Sequence, residues 1–517
     1  LRACRDEQAN DVIGLAERGS STKIIFDIHD QLGNSSCVTC GECVQACPTD
    51  ALTSKTVPEK IKPNKTVDSV CPYCGVGCLL KFNIFENKIA SVTGQNGPSN
   101  ESRLCVKGRY GFDYIHHKDR LTRPLVRLAD AQKTSDLIDQ RDILNYFRET
   151  SWEEALDIAA KGFSQIKEEF GPRALAGLGS AKGSNEEAYL FQKLIRTGFG
   201  TNNVDHCTRL CHASSVAAML EILGSAAVSN QVSDVLKAEV AIVIGAKPTV
   251  NHPVAATFMK NAAKNGTKIV VIDPYRSELT RHAEHFFQLT PDTDVALLNS
   301  LMHVIIKEKL YDFEFIDKRT IDFEKLRRCV KSYSPKKVAP ICGVTAQEIE
   351  AVARLFANAK SAMIFWGMGI SQHIHGTDNA RCLISLALLC GQIGRSGTGI
   401  HPLRGQNNVQ GASDSGLIPM VYPNYLAVND KTNQKRFEHL WNVSLDPEPG
   451  LTVSEMTQAI LNKGIRGMYI MGENPAMSDP DLNHARTAFS QLDHLVVQDI
   501  FFTETAGFAD VIFPASA

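Results

Sequence analysis

Short apolar runs alternate with amphipathic stretches along the chain beyond residue 150. The runs are four or five residues long and mostly rich in branched side chains, which is typical of strands buried on both faces of a parallel sheet. They predict strands at Val240–Ile244, Lys268–Ile272, Ala362–Trp366, Met468–Met471, His494–Val497 and Ala509–Phe513. The intervening patterns predict helices at Val254–Lys264, Asp294–Leu310, Thr345–Ala359, Asn379–Gln392, Ser454–Lys463 and Leu482–Leu492. Strands that alternate with helices indicate a doubly wound α/β architecture.

One part of this pattern occurs twice. The sequence Val-Ile-Gly-Ala-Lys-Pro around Gly245 is matched by Ile-Met-Gly-Glu-Asn-Pro around Gly472, and an aspartate follows each glycine after 28 or 27 residues, at Asp273 and Asp499. A glycine turn after one strand and an acid after the next can meet the phosphate and the ribose or base of a nucleotide. Two copies predict two nucleotide sites. The alternative is that any α/β fold repeats Gly and Asp at strand ends.

Composition narrows the class of protein. The chain has 517 residues, of which 43% are hydrophobic and 22% charged, enough to form several domains with their own cores. A formal net charge of -2 supplies no basic field, so we expect no nucleic-acid partner. No apolar run approaches the ~18 residues of a membrane helix, so we expect no direct membrane span.

Nine of the fifteen cysteines lie within the first 105 residues, in spacings typical of iron–sulfur ligands. The run Cys37-x2-Cys40-x2-Cys43-x3-Cys47-Pro has the bacterial ferredoxin spacing, in which the fourth cysteine binds the other cluster. We predict that Cys4, Cys37, Cys40 and Cys43 bind one cluster and that Cys47 binds a second. The remaining ligands of that second cluster would lie upstream, so we expect the sequence to begin inside a two-cluster ferredoxin module.

A second group follows a Lys- and Pro-containing linker, with the spacing Cys71-x2-Cys74-x3-Cys78-x26-Cys105. It predicts a further cluster. A disulfide framework and a zinc ribbon are the alternatives for both groups. Disulfide frameworks belong mainly to small secreted domains, and zinc sites usually pair two short hooks, so iron–sulfur clusters are favoured.

Two further stretches carry candidate chemistry. Cys211-His212 ends an irregular segment and opens an apolar helix, where the helix dipole would stabilise a thiolate. This cysteine could be a nucleophile, a metal ligand or a packed thiol. Residues 394–416 contain six glycines around Arg404, which could hold a carboxylate through two parallel hydrogen bonds. A flexible surface loop is the alternative for this stretch.

These motifs together resemble the molybdopterin oxidoreductases and, among them, the catalytic subunits of molybdenum- or tungsten-dependent formate dehydrogenases. The resemblance rests on the Cys71 group with Cys105-Val-Lys107, on Cys211-His212, and on Arg404-Gly-Gln-Asn-Asn-Val-Gln. It implies an α/β, doubly wound, multidomain core preceded by a ferredoxin-like iron–sulfur module. It also implies 4Fe-4S clusters and a metal held between two molybdopterin guanine dinucleotides, which would account for the repeated Gly–Asp pattern.

The resemblance assigns roles to residues. Cys211 would bind the metal, and His212 and Arg404 would flank the substrate. Cys71, Cys74, Cys78 and Cys105 would bind the cluster nearest the pterin, with Lys107 between cluster and pterin. The implied dinucleotide contacts are Gly245, Asp273, Asp294, Met368, Gln372, Gly472, Asn474, Asp499, Thr503 and Thr505. Lys247 and Tyr275 stand where relatives often carry Asn and Arg, so we expect altered contacts to one dinucleotide.

We expect a ferredoxin-like module at 1–57 and a pterin-proximal cluster domain at 66–125. Two α/β dinucleotide-binding domains would follow, one formed by 126–206 with 407–517 and the other by 207–406. The chain stops just after a predicted strand, so we also expect a missing C-terminal segment.

The implied activity is the oxidation of formate to carbon dioxide, or the reverse, with electrons leaving through the clusters. The ferredoxin module implies an electron-accepting partner subunit, either an NAD-reducing flavoprotein or a hydrogenase, and the clusters suit a reducing cytoplasm. Two alternatives stay open at this point. One is a related enzyme such as nitrate reductase, and the other is a pterin-free iron–sulfur subunit of NADH dehydrogenase.

Overall fold

A computed structural model describes residues 1–49, 51–54 and 62–517. Their contacts divide the chain into two compact units. Unit 1 consists of Leu1–Phe112 and Cys211–Asn407, and unit 2 consists of Asp113–Leu210 and Asn408–Ala517. Residues 50 and 55–57 of the expected ferredoxin-like module lie outside the described residues.

The strands of the described chain are numbered in chain order. They are β1 (Ile13–Ala16), β2 (Lys23–Phe26), β3 (Lys65–Val70), β4 (Leu79–Phe85), β5 (Lys88–Gly94), β6 (Leu125–Arg127), β7 (Phe147–Glu149), β8 (Leu175–Gly179), β9 (Val204–His206), β10 (Val240–Ile244), β11 (Lys268–Ile272), β12 (Ala283–Phe287), β13 (Ala362–Trp366), β14 (Gly399–Pro402), β15 (Val421–Tyr422), β16 (Leu426–Ala427), β17 (Gly467–Met471), β18 (His494–Asp499) and β19 (Val511–Pro514).

The α-helices are numbered in the same way. They are α1 (Glu42–Gln45), α2 (Val106–Tyr110), α3 (Ile143–Tyr146), α4 (Trp152–Phe170), α5 (Asn185–Leu194), α6 (Thr208–Cys211), α7 (Ala213–Leu223), α8 (Pro248–Asn251), α9 (Pro253–Lys264), α10 (Asp294–Lys307), α11 (Phe313–Arg319), α12 (Phe323–Val330), α13 (Pro335–Cys342), α14 (Ala346–Ala357), α15 (Met368–Ser371), α16 (Gly376–Leu389), α17 (Val409–Asp414), α18 (Lys431–Trp441), α19 (Val453–Leu461), α20 (Pro475–Ser478) and α21 (Leu482–Ser490). In the described part of the chain, no helix is both long and apolar enough to cross a membrane.

Unit 1 contains a five-stranded parallel sheet in the order β12–β11–β10–β13–β14. Successive side chains of its central strands alternate between two apolar cores. Ile242 packs in the core that includes α10, α14 and α16, whereas Val243 packs in the core that includes α9. Both faces are therefore covered, which is why these strands are apolar throughout. The strand order reverses between β10 and β13, where doubly wound sheets bind ligands.

Unit 2 contains a seven-stranded sheet in the order β7–β6–β19–β18–β17–β8–β9. The strands from β19 to β9 are parallel, and β6 and β7 add an antiparallel edge. The order of its parallel part reverses between β8 and β17, so this sheet has a switch point of its own.

The doubly wound α/β prediction is confirmed. Five of the six predicted strands match β10, β11, β13, β17 and β18 closely, and the sixth begins two residues late as β19. The six predicted helices are α9, α10, α14, α16, α19 and α21, each within three residues of the predicted ends. Strands β8, β9, β12 and β14 escaped prediction, because their glycine, histidine and proline residues or short length hide any apolar run. The prediction of parallel strands was also incomplete, because it omitted the antiparallel edge formed by β6 and β7.

Candidate active site

A cavity of about 490 Å³ lies in unit 1 at the carboxyl ends of the five-stranded sheet. Its wall includes the residues that directly follow β10, β11 and β13, so it occupies the switch point of the fold. It is lined by the predicted dinucleotide contacts Gly245, Asp273, Asp294 and Met368, and by Lys107, which is predicted to lie between cluster and pterin. The predicted contact Gln372 is exposed at the end of α15.

The glycine turn after β10 is shaped by a close approach of two backbones. Gly245 has φ +56°, and a Cβ at this position would lie 2.8 Å from the carbonyl carbon of Gly369. Gly369 is equally constrained, since its own Cβ would lie 2.7 Å from the Cα of Gly245. Glycine at both positions allows the turns after β10 and β13 to meet at the floor of the cavity.

Two buried acids face this cavity. Asp273 Oδ1 accepts a 2.8 Å hydrogen bond from the backbone N–H of Tyr275, and Asp294 begins α10. Burial raises the pKa of both carboxyl groups. Lys247 lowers the pKa of Asp273 in part, and its Nζ lies 3.5 Å from the centre of the Tyr275 ring. Lys247 and Tyr275, for which altered dinucleotide contacts are expected, are therefore in contact with each other.

Cys211 lies at the end of α6, close to the loop that follows β14. Its Sγ is 3.5 Å from the Sδ of Met368, and a Cβ on Gly405 would lie 3.8 Å from the same sulfur. Burial raises the pKa of the Cys211 thiol, while the positive charge of Arg404 lowers it. Because a thiol must lose its proton to bind a metal, Arg404 favours the ligating form.

His212 is fully buried, and both of its ring nitrogens are engaged within unit 1. Nε2 donates to the carbonyl oxygen of Leu403 at 3.0 Å, so Nδ1, 3.1 Å from Ser371 Oγ, accepts. Ser371 in turn contacts Ser215, which accepts from Trp366 Nε1. Burial and the charge of Arg404 lower the pKa of His212 to about 3. The imidazole is therefore neutral, and its orientation is held by a chain of side chains.

Arg404 is also buried, and its Nη2 donates a 2.7 Å hydrogen bond to the carbonyl oxygen of Ala226. Its own carbonyl oxygen accepts from His252 Nε2 at 2.6 Å and from the backbone N–H of Gly75 at 3.2 Å. Gly75 directly follows the predicted cluster ligand Cys74. The backbone of Arg404 is thus hydrogen-bonded to the loop that carries the second cysteine group.

His252 and Ser371 were missed by sequence reasoning. His252 lines the cavity, and its buried Nδ1 has no hydrogen-bond partner among the described residues, which fits a bound group with polar N–H donors. A signal for His252 was present, since the residue precedes a proline that opens α9, within the segment that follows Gly245. Ser371 offered no signal, because its role depends on side chains brought together by folding.

The four cysteines of the second group come together in unit 1. Cys71, Cys74, Cys78 and Cys105 line one small cavity together with Lys107. Burial raises the pKa of Cys78, and the other three cysteines raise it further. Among the described residues, no three His, Cys, Asp or Glu side chains are placed to hold a single metal ion. Lys107 lines both the small cavity of the four cysteines and the larger cavity.

The cysteines of the first group differ in their surroundings. Cys37 and Cys4 both raise the pKa of Cys43, after the larger effect of burial, so the three sulfurs are neighbours. Burial raises the pKa of Cys40 to about 11, with smaller contributions from Cys43 and Cys37. Cys47 differs, because the backbone N–H of Thr49 lowers its pKa to about 7.

The second copy of the Gly–Asp pattern lies at the switch point of unit 2. Gly472 has φ +65°, and a Cβ there would lie 3.1 Å from the Cβ of Ser180, just after β8. Asn474 Oδ1 accepts from the backbone N–H and the hydroxyl of Thr505, at 3.1 and 2.8 Å. Burial raises the pKa of Asp499 to about 6.

The hydroxyl groups of the two threonines predicted in this copy form hydrogen bonds within the protein. Thr505 is fully buried, and its hydroxyl also accepts from the backbone N–H of Ala476. The hydroxyl of Thr503 accepts from the backbone N–H of Ala506 at 3.3 Å. Asn474 Nδ2 also donates to Glu504 Oε2 at 2.7 Å, so Thr505 and Glu504 together orient the Asn474 amide beside Gly472.

Three family models match the chain. They are the molybdopterin oxidoreductase model over residues 120–517, the molybdopterin oxidoreductase Fe4S4 domain over 64–117, and a 4Fe-4S binding domain over 33–53. The chain is 42% identical to the F420-dependent formate dehydrogenase subunit alpha of Methanocaldococcus jannaschii, over 87% of this chain and 64% of the relative. It is also 42% identical to formate dehydrogenase H of Escherichia coli, over 88% of this chain and 62% of the relative.

A third relative matches the entire chain. The probable oxidoreductase YjgC of Bacillus subtilis is 33% identical over 100% of this chain and 55% of its own length. Among solved structures, acetylene hydratase from Pelobacter acetylenicus has a TM-score of 0.70 and 21% identity, and the match covers 86% of this chain and 62% of the other. That likeness concerns the fold. The chain spans less than two thirds of the length of these relatives.

Proposed function

We propose that this chain, which belongs to the molybdopterin oxidoreductase family, oxidises formate to carbon dioxide or catalyses the reverse reaction. The observation that carries the proposal is the position of the Arg404–Gly405 segment beside Cys211. A Cβ on Gly405 would lie 3.8 Å from the Cys211 sulfur, and the charge of Arg404 lowers the pKa of that thiol. A cationic site for a small carboxylate then adjoins a candidate metal ligand. Formate loses two electrons and one proton when it becomes carbon dioxide.

The chain's domains are those that hold a molybdenum- or tungsten-pterin centre and 4Fe-4S clusters. The residues present fit these groups, because the unit 1 cavity presents a glycine turn, two acids and the open Nδ1 of His252. When bound, the metal–pterin centre supplies two-electron redox chemistry, and each cluster carries one electron. We assign Cys211 as the protein ligand of the metal, with Gly245, Asp273 and Asp294 facing one dinucleotide.

The role of Arg404 is to bind and orient the substrate. A guanidinium can hold a carboxylate through two parallel N–H···O bonds and neutralise its charge. Its backbone is held by His252 and Gly75, so little reorganisation is required when formate binds. A fixed guanidinium of this kind directs the C–H bond of formate to one side of the site.

His212 has a supporting role in this proposal. Because both ring nitrogens are hydrogen-bonded to Leu403 and Ser371, the imidazole holds the backbone next to Arg404. The proton released from formate then passes to another group or to water. In this proposal His212 orients the site and does not take the proton.

The electrons would leave through the two cysteine groups. Lys107, which lines both cavities, lies on the route from pterin to the first cluster. Cys4, Cys37, Cys40 and Cys43 then hold the next cluster, and Cys47 contributes to a further one. A flavoprotein that reduces NAD or a hydrogenase would receive the electrons in the cytoplasm.

Metal analysis combined with a formate-dependent dye reduction assay tests the proposal. We expect stoichiometric molybdenum or tungsten, bound guanine nucleotide, and dye reduction that depends on formate. The metal analysis also shows whether the metal is molybdenum or tungsten. Reduction of nitrate without formate oxidation would instead indicate a nitrate reductase, and iron without molybdenum or tungsten would indicate a pterin-free scaffold. Either result would contradict the proposal.

A further inference from the structure

A buried ion pair joins the two cysteine groups of unit 1. Glu42 lies between the predicted ligands Cys40 and Cys43, and Arg109 lies in α2, four residues beyond the predicted ligand Cys105. The two side chains are 6% and 4% exposed, and Arg109 Nη2 donates to Glu42 Oε1. The pair therefore connects one cluster-binding segment to the other through the protein interior.

Each partner also reaches the backbone of the opposite segment. Glu42 Oε1 accepts a 2.8 Å hydrogen bond from the N–H of Leu104, the residue directly before Cys105. In the other direction, Arg109 Nε donates to the carbonyl oxygen of Cys40 at 2.6 Å. These two crossing contacts tie the ligand segments to each other more firmly than a single contact between side chains would.

Two neighbouring residues, Gln45 and Gly41, help to hold the Arg109 side chain in place. Arg109 Nη1 donates to Gln45 Oε1 at 2.7 Å, and Gln45 Oε1 also accepts from the N–H of Gly94 in β5 at 2.8 Å. Gly41 has φ +71°, and a Cβ at Gly41 would overlap the Cδ of Arg109. The loop between Cys40 and Cys43 thus leaves just enough room for the guanidinium.

A buried ion pair is weak evidence for stability, because desolvation of both charges offsets their attraction. It does specify geometry, since the charges and hydrogen bonds are satisfied in one arrangement only. The geometry in question here is the separation of two redox centres. Electron tunnelling slows steeply with distance, and it is faster through bonds and hydrogen bonds than through empty space.

We propose that the Glu42–Arg109 pair is a positioning element for electron transfer between the cluster of Cys4, Cys37, Cys40 and Cys43 and the cluster of the Cys71 group. The hydrogen bond from Leu104 N–H to Glu42 is the short connection between them. One electron leaves a reduced cluster and enters an oxidised one, and neither Glu42 nor Arg109 changes chemically. The inference rests on the ligand sets proposed above, but not on formate as the substrate.

The test compares Arg109→Met and Glu42→Gln in the complete holoenzyme. Arg109→Met removes all three contacts of the guanidinium, whereas Glu42→Gln removes a charge and keeps an acceptor for Leu104. The matched control is Glu17→Gln, which removes the exposed Lys23–Glu17 ion pair of the same N-terminal segment. Iron content, magnetic coupling and the rate of inter-cluster transfer are measured. Electron paramagnetic resonance gives the coupling after complete chemical reduction, and rapid freezing after partial reduction, which leaves one cluster oxidised as the acceptor, gives the rate.

We expect Arg109→Met to retain iron in both clusters, to weaken their magnetic coupling and to slow transfer by roughly ten-fold or more, as a misplaced redox partner would. Glu42→Gln should show a smaller loss, and Glu17→Gln none. Wild-type coupling and rate in an iron-replete Arg109→Met protein would overturn the inference.

If Arg109→Met loses a cluster, Arg109→Lys is measured in its place. This variant keeps the charge without the planar fork. Slow transfer in the iron-replete Lys variant supports the inference, and wild-type transfer overturns it. Chemical reduction keeps the readout separate from the proposed function, because a wild-type protein inactive with formate would still report transfer between its clusters.

Discussion

The Nε2 of His252 donates a 2.6 Å hydrogen bond to the carbonyl oxygen of Arg404. His252 lies just before α9, after one strand of the unit 1 sheet, and Arg404 follows another strand of the same sheet. Two residues 152 positions apart are therefore joined at the carboxyl edge of the sheet. This bond holds the backbone from which the Arg404 guanidinium extends.

His252→Ala is expected to loosen Arg404 without removing its charge. Loss of a positioning hydrogen bond should raise the KM for formate by roughly ten-fold, the equivalent of about 1.4 kcal/mol. His252→Gln should recover part of the loss, because its amide N–H can donate to the same carbonyl. Steady-state kinetics gives KM and kcat, and bound guanine nucleotide reports the cofactor. An unchanged KM in a fully loaded Ala variant would contradict the positioning role.

Arg404→Lys is expected to keep the metal and lose most of the activity. An ammonium group provides one point charge where the guanidinium offers a planar fork, so kcat/KM for formate should fall by about 10²-fold or more. Metal content and the spectrum of the clusters should be unchanged. Arg381→Lys, at an exposed ion pair of α16, is the control and should behave as wild type. Near-normal formate turnover in Arg404→Lys would refute the carboxylate role.

We expect the buried His206 of β9 to make the folded protein less stable at acid pH. Burial lowers its pKa to about 3 from the usual 6.5, so below pH 6.5 the unfolded chain binds a proton that the folded chain does not. Stability from this group is therefore complete above pH 6.5 and falls as the pH is lowered. Between pH 7.5 and 5.5 the loss is about 1.4 kcal/mol.

His206→Gln cannot bind that proton, so its Tm should fall less than that of the wild type over the same pH interval. Its absolute Tm at pH 7.5 can change because His206 Nε2 contacts Ser413, so the comparison is the slope with pH. The exposed His439 of α18 provides the control variant His439→Gln. Equal slopes for wild type and His206→Gln would exclude the proposed contribution.

Gly245→Ala is expected to disturb the unit 1 dinucleotide site. The substitution combines a left-handed backbone with a steric overlap at Gly369, and backbone strain alone costs about 1–3 kcal/mol. Gly224→Ala is the matched control, since Gly224 has φ +68° with nothing within 4 Å of a new Cβ. We expect bound guanine nucleotide to fall in Gly245→Ala only. Equal nucleotide content in both variants would show that the close approach has no role at the site.

Much of the architecture follows from local patterns. The buried strands β10 and β13 were predictable because each side chain on both faces packs in a core, which leaves a continuous apolar run. Strand β14 was not, because Gly399 and Pro402 mask it and its place comes from pairing with β13. Strands β6 and β7 escaped for a similar reason, since they form an antiparallel edge that no parallel pattern indicates.

For the candidate site, spacing indicated the cysteine groups, because closely spaced thiolates can converge on one cluster. The helix that follows Cys211-His212, the glycines around Arg404 and the family resemblance indicated the other two motifs. The contacts among these groups came only from folding. The order of strands in the sheet brings Ser371 to His212, His252 to Arg404, and Lys247 to Tyr275. Hydrogen bonds and charges act over a few ångströms in space, so partners separated by dozens of residues leave no periodic trace in the chain.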